Sequence, residues 1–233
     1  MLNLNVDSME ERTEASGRIW GIGLCYEYDY AYRQISIIHR QHYRPIKEIT
    51  VSINEHDDLV RLIDLIEKTT QIQALMLSNN ATCDISEVIG KNRMGSYLEH
   101  VIELARATLR LDQGRYEDFA TDLCATFDLN TLIIENLNKG YSSNDFFKIR
   151  LQTKRKNEIK YEGFNLPHCL SALSQKIISD LLVLETSNNF QAEAHRLLKL
   201  SSDLSMLSLV LDEQFIPRRK VRATPQKQYE KSA

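Results

Sequence analysis

Between residues 194 and 211 leucine returns every three or four positions, at Leu197, Leu200, Leu204, Leu207 and Leu211. Only an α-helix gathers such positions on one face, and a stripe this long has to be covered by something apolar. The preceding segment supplies the cover. Asn165 and Pro167 suit a helix start, an apolar-rich run continues to Leu184, and Ser187-Asn188-Asn189 marks a turn. The spacing predicts an αα-hairpin whose leucine face is core rather than a dimer seam.

Eight glycines and four prolines among 233 residues are too few for the dense turns of an all-β sandwich or barrel. The fold class expected is mainly α, built of helical hairpins or a bundle, with a small N-terminal antiparallel β element, so α+β as a whole. Residues 1–16 are acidic and aperiodic and read as a flexible tail. Trp20, Ile22, Leu24, Tyr26 and Tyr28 then alternate with smaller or polar residues, which is the period of a strand. Runs around Ile35, Ile37 and Ile38 and around Ile49, Val51 and Ile53 repeat the pattern, with Pro45 between them. Residues 17–53 are therefore read as a three-stranded meander packing on a helical body at 54–215, followed by a basic flexible tail at 216–233.

Within the body, Asn54 offers an N-cap to a helix ending near Lys68. Asp84 with Glu87 resembles a capping box, and Leu98, Ile102, Ala105 and Leu109 form the inner face of a helix that stops before Gly114. A further helix runs from Tyr116 to about Phe127, and a shorter one is expected over 132–137. Residues 147–162 read equally as a hairpin tipped by Lys154-Arg155-Lys156-Asn157 or as a helix. Segments 114–119 and 188–194 each resemble the tight turn and second-helix start of a tetratricopeptide unit. Phe119 stands where that repeat favours alanine and the upstream Trp-x-x-Leu-Gly pattern is missing, so no family is assigned on two turns.

Chemistry-bearing residues are scattered. The cysteines Cys25, Cys83, Cys124 and Cys169 form no CxxC pair, which excludes a zinc ribbon and a thioredoxin-type motif. His39 and His42 are the best candidates for acid-base or metal chemistry, but on a strand those positions face opposite ways. His168 beside Cys169 lacks a geometry for thiol activation, because neighbouring helical side chains diverge by about 100°. His56, before Asp57 and Asp58, reads as part of a helix start. Gly21 and Gly23 sit inside a strand pattern, not between strand and helix, so they are not a phosphate loop. No nucleophile, kinase or EF-hand signature occurs, and no cofactor or metal is implied.

Charge is the informative feature. Segments 148–160 and 216–233 together hold twelve of the 29 basic residues and two of the 32 acidic ones, leaving 17 against 30 elsewhere. Two short cationic segments thus sit on an acidic remainder, which argues against a dedicated nucleic-acid binder. The function expected is a non-enzymatic interaction protein: an adaptor, chaperone or assembly subunit. Its contacts would be Tyr26, Tyr28 and Tyr30 on the aromatic strand, Lys154, Arg155 and Lys156, and Arg218, Arg219, Lys220 and Arg222 in the tail. Its partners would be one or more proteins, at least one with an acidic surface. The runner-up is a nucleic-acid-associated regulator using the two basic segments, and the last reading is an enzyme using His39 and His42. The acidic N-terminus has no leader character and no apolar run reaches membrane-spanning length, so a cytoplasmic location is expected.

Overall fold

A computed structural model of the chain describes residues 14–19, 24–29, 34–41, 44–52, 56–78, 88–90, 93–137, 145–154, 158–183 and 190–212, with side chains described from Val60 onward. The first four elements are strands: β1 (Glu14–Ile19), β2 (Leu24–Asp29), β3 (Gln34–Gln41) and β4 (Arg44–Ser52). They pair antiparallel in sequence order, with Tyr26 opposite Ile37 and Ile37 opposite Ile49. The register shifts after His39, where Lys47 is its partner but Pro45 is the partner of Arg40. A slipped register next to proline is expected, since proline donates nothing to the ladder. Strand thus begins at Glu14, inside the stretch read as a tail. Of the strand expected from Trp20, the part from Leu24 is β2, while Trp20 and Ile22 lie outside the described residues.

Helix α1 (His56–Ser78) continues ten residues past the predicted end at Lys68. Polar residues interrupt its apolar stripe there, but they are satisfied within the helix. Thr70 Oγ1 donates to the Ile66 carbonyl at 2.7 Å and Gln71 Nε2 to Glu67 Oε1 at 3.0 Å. Helix α2 (Met94–Asp112) buries Leu98, Ile102, Ala105 and Leu109 as predicted, adding Val101 and Leu104. It ends where Gly114 takes φ +70°, letting the amides of Gly114 and Arg115 return to the carbonyls of Leu111 and Arg110. Helix α3 (Tyr116–Phe127) follows.

The next element overturns an expectation. Residues 132–137 do not form a short helix; β5 (Thr131–Asn136) occupies them. Asp128 turns left-handed at φ 53° and ends α3, and the β-branched Thr131, Ile133 and Ile134 then fit a pleated surface. The ambiguous region is a hairpin of β6 (Phe146–Gln152) and β7 (Glu158–Phe164), and β5-β6-β7 form one antiparallel sheet. Apart from the backbone ladder at the N-terminus, the described region is mostly helical with this small three-stranded sheet. The sheet lies toward the C-terminus, not at the N-terminus where the fold class had placed it, and the body at 54–215 is not wholly helical. After β7 the chain forms α4 (Leu166–Val183) and α5 (Phe190–Leu211).

Helices α4 and α5 are the predicted hairpin. Leu170, Leu173 and Ile177 are buried with Leu197, Leu200, Leu204 and Leu207, while Leu211 is half-buried. Ser174 and Ser201 sit face to face inside it, their hydroxyls 2.9 Å apart, and Ser201 Oγ also lies 3.0 Å from the Ser174 carbonyl. Small residues here let the helices approach closely. The hairpin lies between the sheet, which α4 covers together with α3, and helices α1 and α2, which α5 touches. Leu132, Ile134, Phe147, Ile149, Leu151 and Ile159 form the inner sheet face and join the helical side chains in one core. Because α3 leads into a strand, the turn at 114–119 does not belong to a run of stacked helical pairs; the turn at 188–194 lies partly outside the described residues.

Candidate functional site

Alternation sends every charged side chain of the β5-β6-β7 sheet to its outer face, where they pair across strands. Lys148 Nζ lies 2.8 Å from Glu162, Arg150 3.3 Å from Glu135, and Lys160 2.8 Å from Glu158. Lys154, just past β6, reaches Asp128 at 3.3 Å, and Arg196 of α5 reaches the same carboxylate at 3.0 Å. These two cations hold the Asp128 carboxyl below the usual range, the Lys154 hydrogen bond first. Every described basic residue of 148–160 therefore already faces a carboxylate. Among the described residues, the cations of this segment are thus matched one by one with carboxylates.

The end of this face is different. Leu137 continues the ladder beyond β5, its amide bonded to the Phe146 carbonyl at 2.9 Å, and Phe146 stands opposite Phe164. The two rings meet edge to face with centroids 5.0 Å apart. Phe164 is 59% exposed and Leu137 54% exposed. Three apolar residues in one cross-strand row, bordered by the ion-paired row Glu135, Lys148 and Glu162, make an amphipathic surface at a sheet end.

A groove of about 310 Å³ opens between α2, α3 and α5. Its floor is apolar, with Leu104, Phe119, Leu123, Phe127 and Leu207. At one end His100 Nε2 lies 3.4 Å from Asp203 Oδ1, and at the other Arg110 pairs with Asp122. Asp203 is only 8% exposed, and burial pushes its carboxyl above the ordinary value, opposed by His100 and Lys199 and reinforced by Glu103. Desolvation likewise pulls the Arg110 guanidinium down, helped by the like charges of Arg106 and Arg115. The groove thus sets a sheltered carboxyl beside an imidazole at one end of an apolar floor. Sequence reasoning did not single it out. His100, Glu103, Arg106 and Arg110 do recur at helical spacing, but that pattern marks the polar face of any amphipathic helix, and only packing shows that a groove lies beneath it.

Of the residues singled out from sequence, Tyr26 and Tyr28 lie in β2, opposite Ile37 and Ile35 of β3 in the backbone register. His39 lies in β3 opposite Leu24 and Lys47, and His56 opens α1. Tyr30, His42, Arg155, Lys156, Arg218, Arg219, Lys220 and Arg222 lie outside the described residues. Lys154 is exposed and tied to Asp128. Cys169 is buried, and burial pushes its thiol up to about 11, the opposite of an activated nucleophile. His168 is exposed and sets its ring edge against Tyr161, with centroids 6.3 Å apart. Among the described residues there is no group of three or more potential metal ligands, and no helix is long and apolar enough to cross a membrane.

Compared with known proteins, the chain matches no family model, no curated protein and no solved structure.

Proposed function

We propose that this chain is a non-enzymatic interaction subunit, an adaptor or assembly component, that seats an apolar anchor of a partner protein on the end of the β5-β6-β7 sheet. The observation that carries the reading is the row in which exposed Leu137 and Phe164 flank half-buried Phe146. Clustered aromatics that remain in water are what interface anchors are made of, and a bordering set of charges fixes register more than it adds affinity. The basic tail, with Arg218, Arg219, Lys220 and Arg222, would make the second contact on an acidic surface of the partner. The unactivated Cys169 thiol fits a role without covalent chemistry.

The test is affinity capture of the full chain from its host with nuclease present, in parallel with Leu137→Asp/Phe164→Asp and with a chain lacking residues 217–233. Both apolar positions are exposed, so unchanged thermal midpoints will separate binding from folding. A stoichiometric protein partner that is retained by the parent and lost from the double variant is the expected result. A partner set unchanged by both alterations would refute the reading.

A further inference from the structure

The charges around the groove between α2, α3 and α5 are not all spoken for. His100 is engaged by Asp203, Arg110 by Asp122, and Lys199 stands over the Phe127 ring at 5.9 Å from its centroid. What remains is one residue of each sign, Glu103 and Arg106, and neither takes part in an ion pair among the described residues. Their spacing of three on α2 suits a mutual pair, yet no ion pair joins them, and both are exposed residues lining the groove. Beneath them lies the apolar floor formed by Leu104, Phe119 and Leu123. The free volume falls in the range of small-molecule sites, which combine an apolar lining with a few convergent polar groups.

A ligand that complements this arrangement must bring both charges and an apolar body. A simple anion would be attracted by Arg106 and repelled by Glu103, and a simple cation the reverse. We propose that the groove binds a small zwitterion of the α-amino-acid class with an apolar side chain. Its carboxylate meets the Arg106 fork, its ammonium meets Glu103, and its side chain lies on Leu104, Phe119 and Leu123. The His100–Asp203 pair closes the end of the groove next to Glu103, and Arg110 with Asp122 closes the other.

The site is tested by amide-resonance titration and calorimetry of the full chain with L-leucine, L-phenylalanine and the dipeptide Leu-Leu, against N-acetyl-L-leucine and L-leucinamide. Saturable shifts confined to α2, α3 and α5 are expected with at least one of the three zwitterions. N-acetylation, which removes the ammonium, and amidation, which removes the carboxylate, should each weaken binding about tenfold. Glu103→Gln should reproduce the first loss and leave N-acetyl-L-leucine unaffected, and Arg106→Gln should do the same for the second loss and L-leucinamide. Both side chains are exposed, so an unchanged melting midpoint confirms that each variant folds. Absence of saturable shifts with all three zwitterions, shifts mapping elsewhere, or equal binding of the blocked and unblocked probes would overturn the proposal.

Discussion

The β5-β6-β7 sheet and the α4–α5 hairpin meet in one core but handle their polar groups in opposite ways. The sheet exports every charged side chain to its outer face and keeps the inner face apolar. The hairpin buries hydroxyls, and Ser174 and Ser201 satisfy each other in its interior. The sheet's tolerance is therefore set by space and the hairpin's by pairing. At the point where the two meet, Gly163 of β7 shows how little space there is. A β-carbon on it would come 3.0 Å from the Tyr161 ring edge and 3.4 Å from Cys169 Sγ at the start of α4.

The largest effects should come from the shared core, where the two regions are expected to behave alike. Ile149 and Leu200 are both fully buried, and Ile149→Ala and Leu200→Ala should each cost about 2–5 kcal/mol by urea denaturation. A cost near zero for one alone would mean that its region does not share the cooperative unit. Gly163→Val sharpens the contrast, since it must displace Tyr161 or α4, and about 1–3 kcal/mol is expected. Wild-type stability in this variant would break the spatial account of the sheet.

Ser201→Ala should cost about 1 kcal/mol because it strands the Ser174 hydroxyl. Adding Ser174→Ala should then cost little more, so the double-mutant cycle reads a favourable coupling; strict additivity would deny the pairing.

The smallest effects separate two aspartates by sign. Burial raises the Asp203 carboxyl, so its contribution to stability is complete below its ordinary value of 3.8 and is lost as pH rises through the folded value. Asp203→Asn should gain on the parent as pH rises from 3.8. Lys154 and Arg196 lower the Asp128 carboxyl, so its contribution is present above 3.8 and is lost as pH falls through the folded value. Asp128→Asn should therefore lose ground to the parent as pH rises through the folded value to 3.8, and keep that deficit above it. Because Asp128 is exposed, its change will be the slighter one. Denaturation midpoints measured across this pH range, with the two variants moving in the same direction, would contradict the assignment.

Legibility followed the length of the periodic run. The stripes on α2 and α5 are long, and no sheet accepts a period of 3.6, so Leu98, Ile102, Leu200 and Leu204 were placed in the core from spacing alone. The six residues of β5 are too short for period to decide. Leu132, Ile133 and Ile134 are apolar in a row, and burial of Leu132 and Ile134 with exposure of Ile133 arises only because β6 lies alongside. The pairing of Lys148, Arg150 and Lys154 is invisible along the chain for a similar reason: their acids, Glu162, Glu135 and Asp128, come from other elements. The apolar row of Leu137, Phe146 and Phe164 draws on three neighbouring segments and has no signature in any one of them.

By itself, the sequence determined which segments become long helices and where Gly114 and Pro167 bound them. These follow from interactions within a few residues, where backbone geometry leaves little choice. Tertiary structure alone decided that 131–136, 146–152 and 158–164 pair as one sheet, that the cations on these strands are matched, and that Glu103 and Arg106 have no ion pair among the described residues over an apolar groove. Strand pairing and charge balance depend on which distant residues become neighbours, and in a packed fold that is settled by the burial of the whole core.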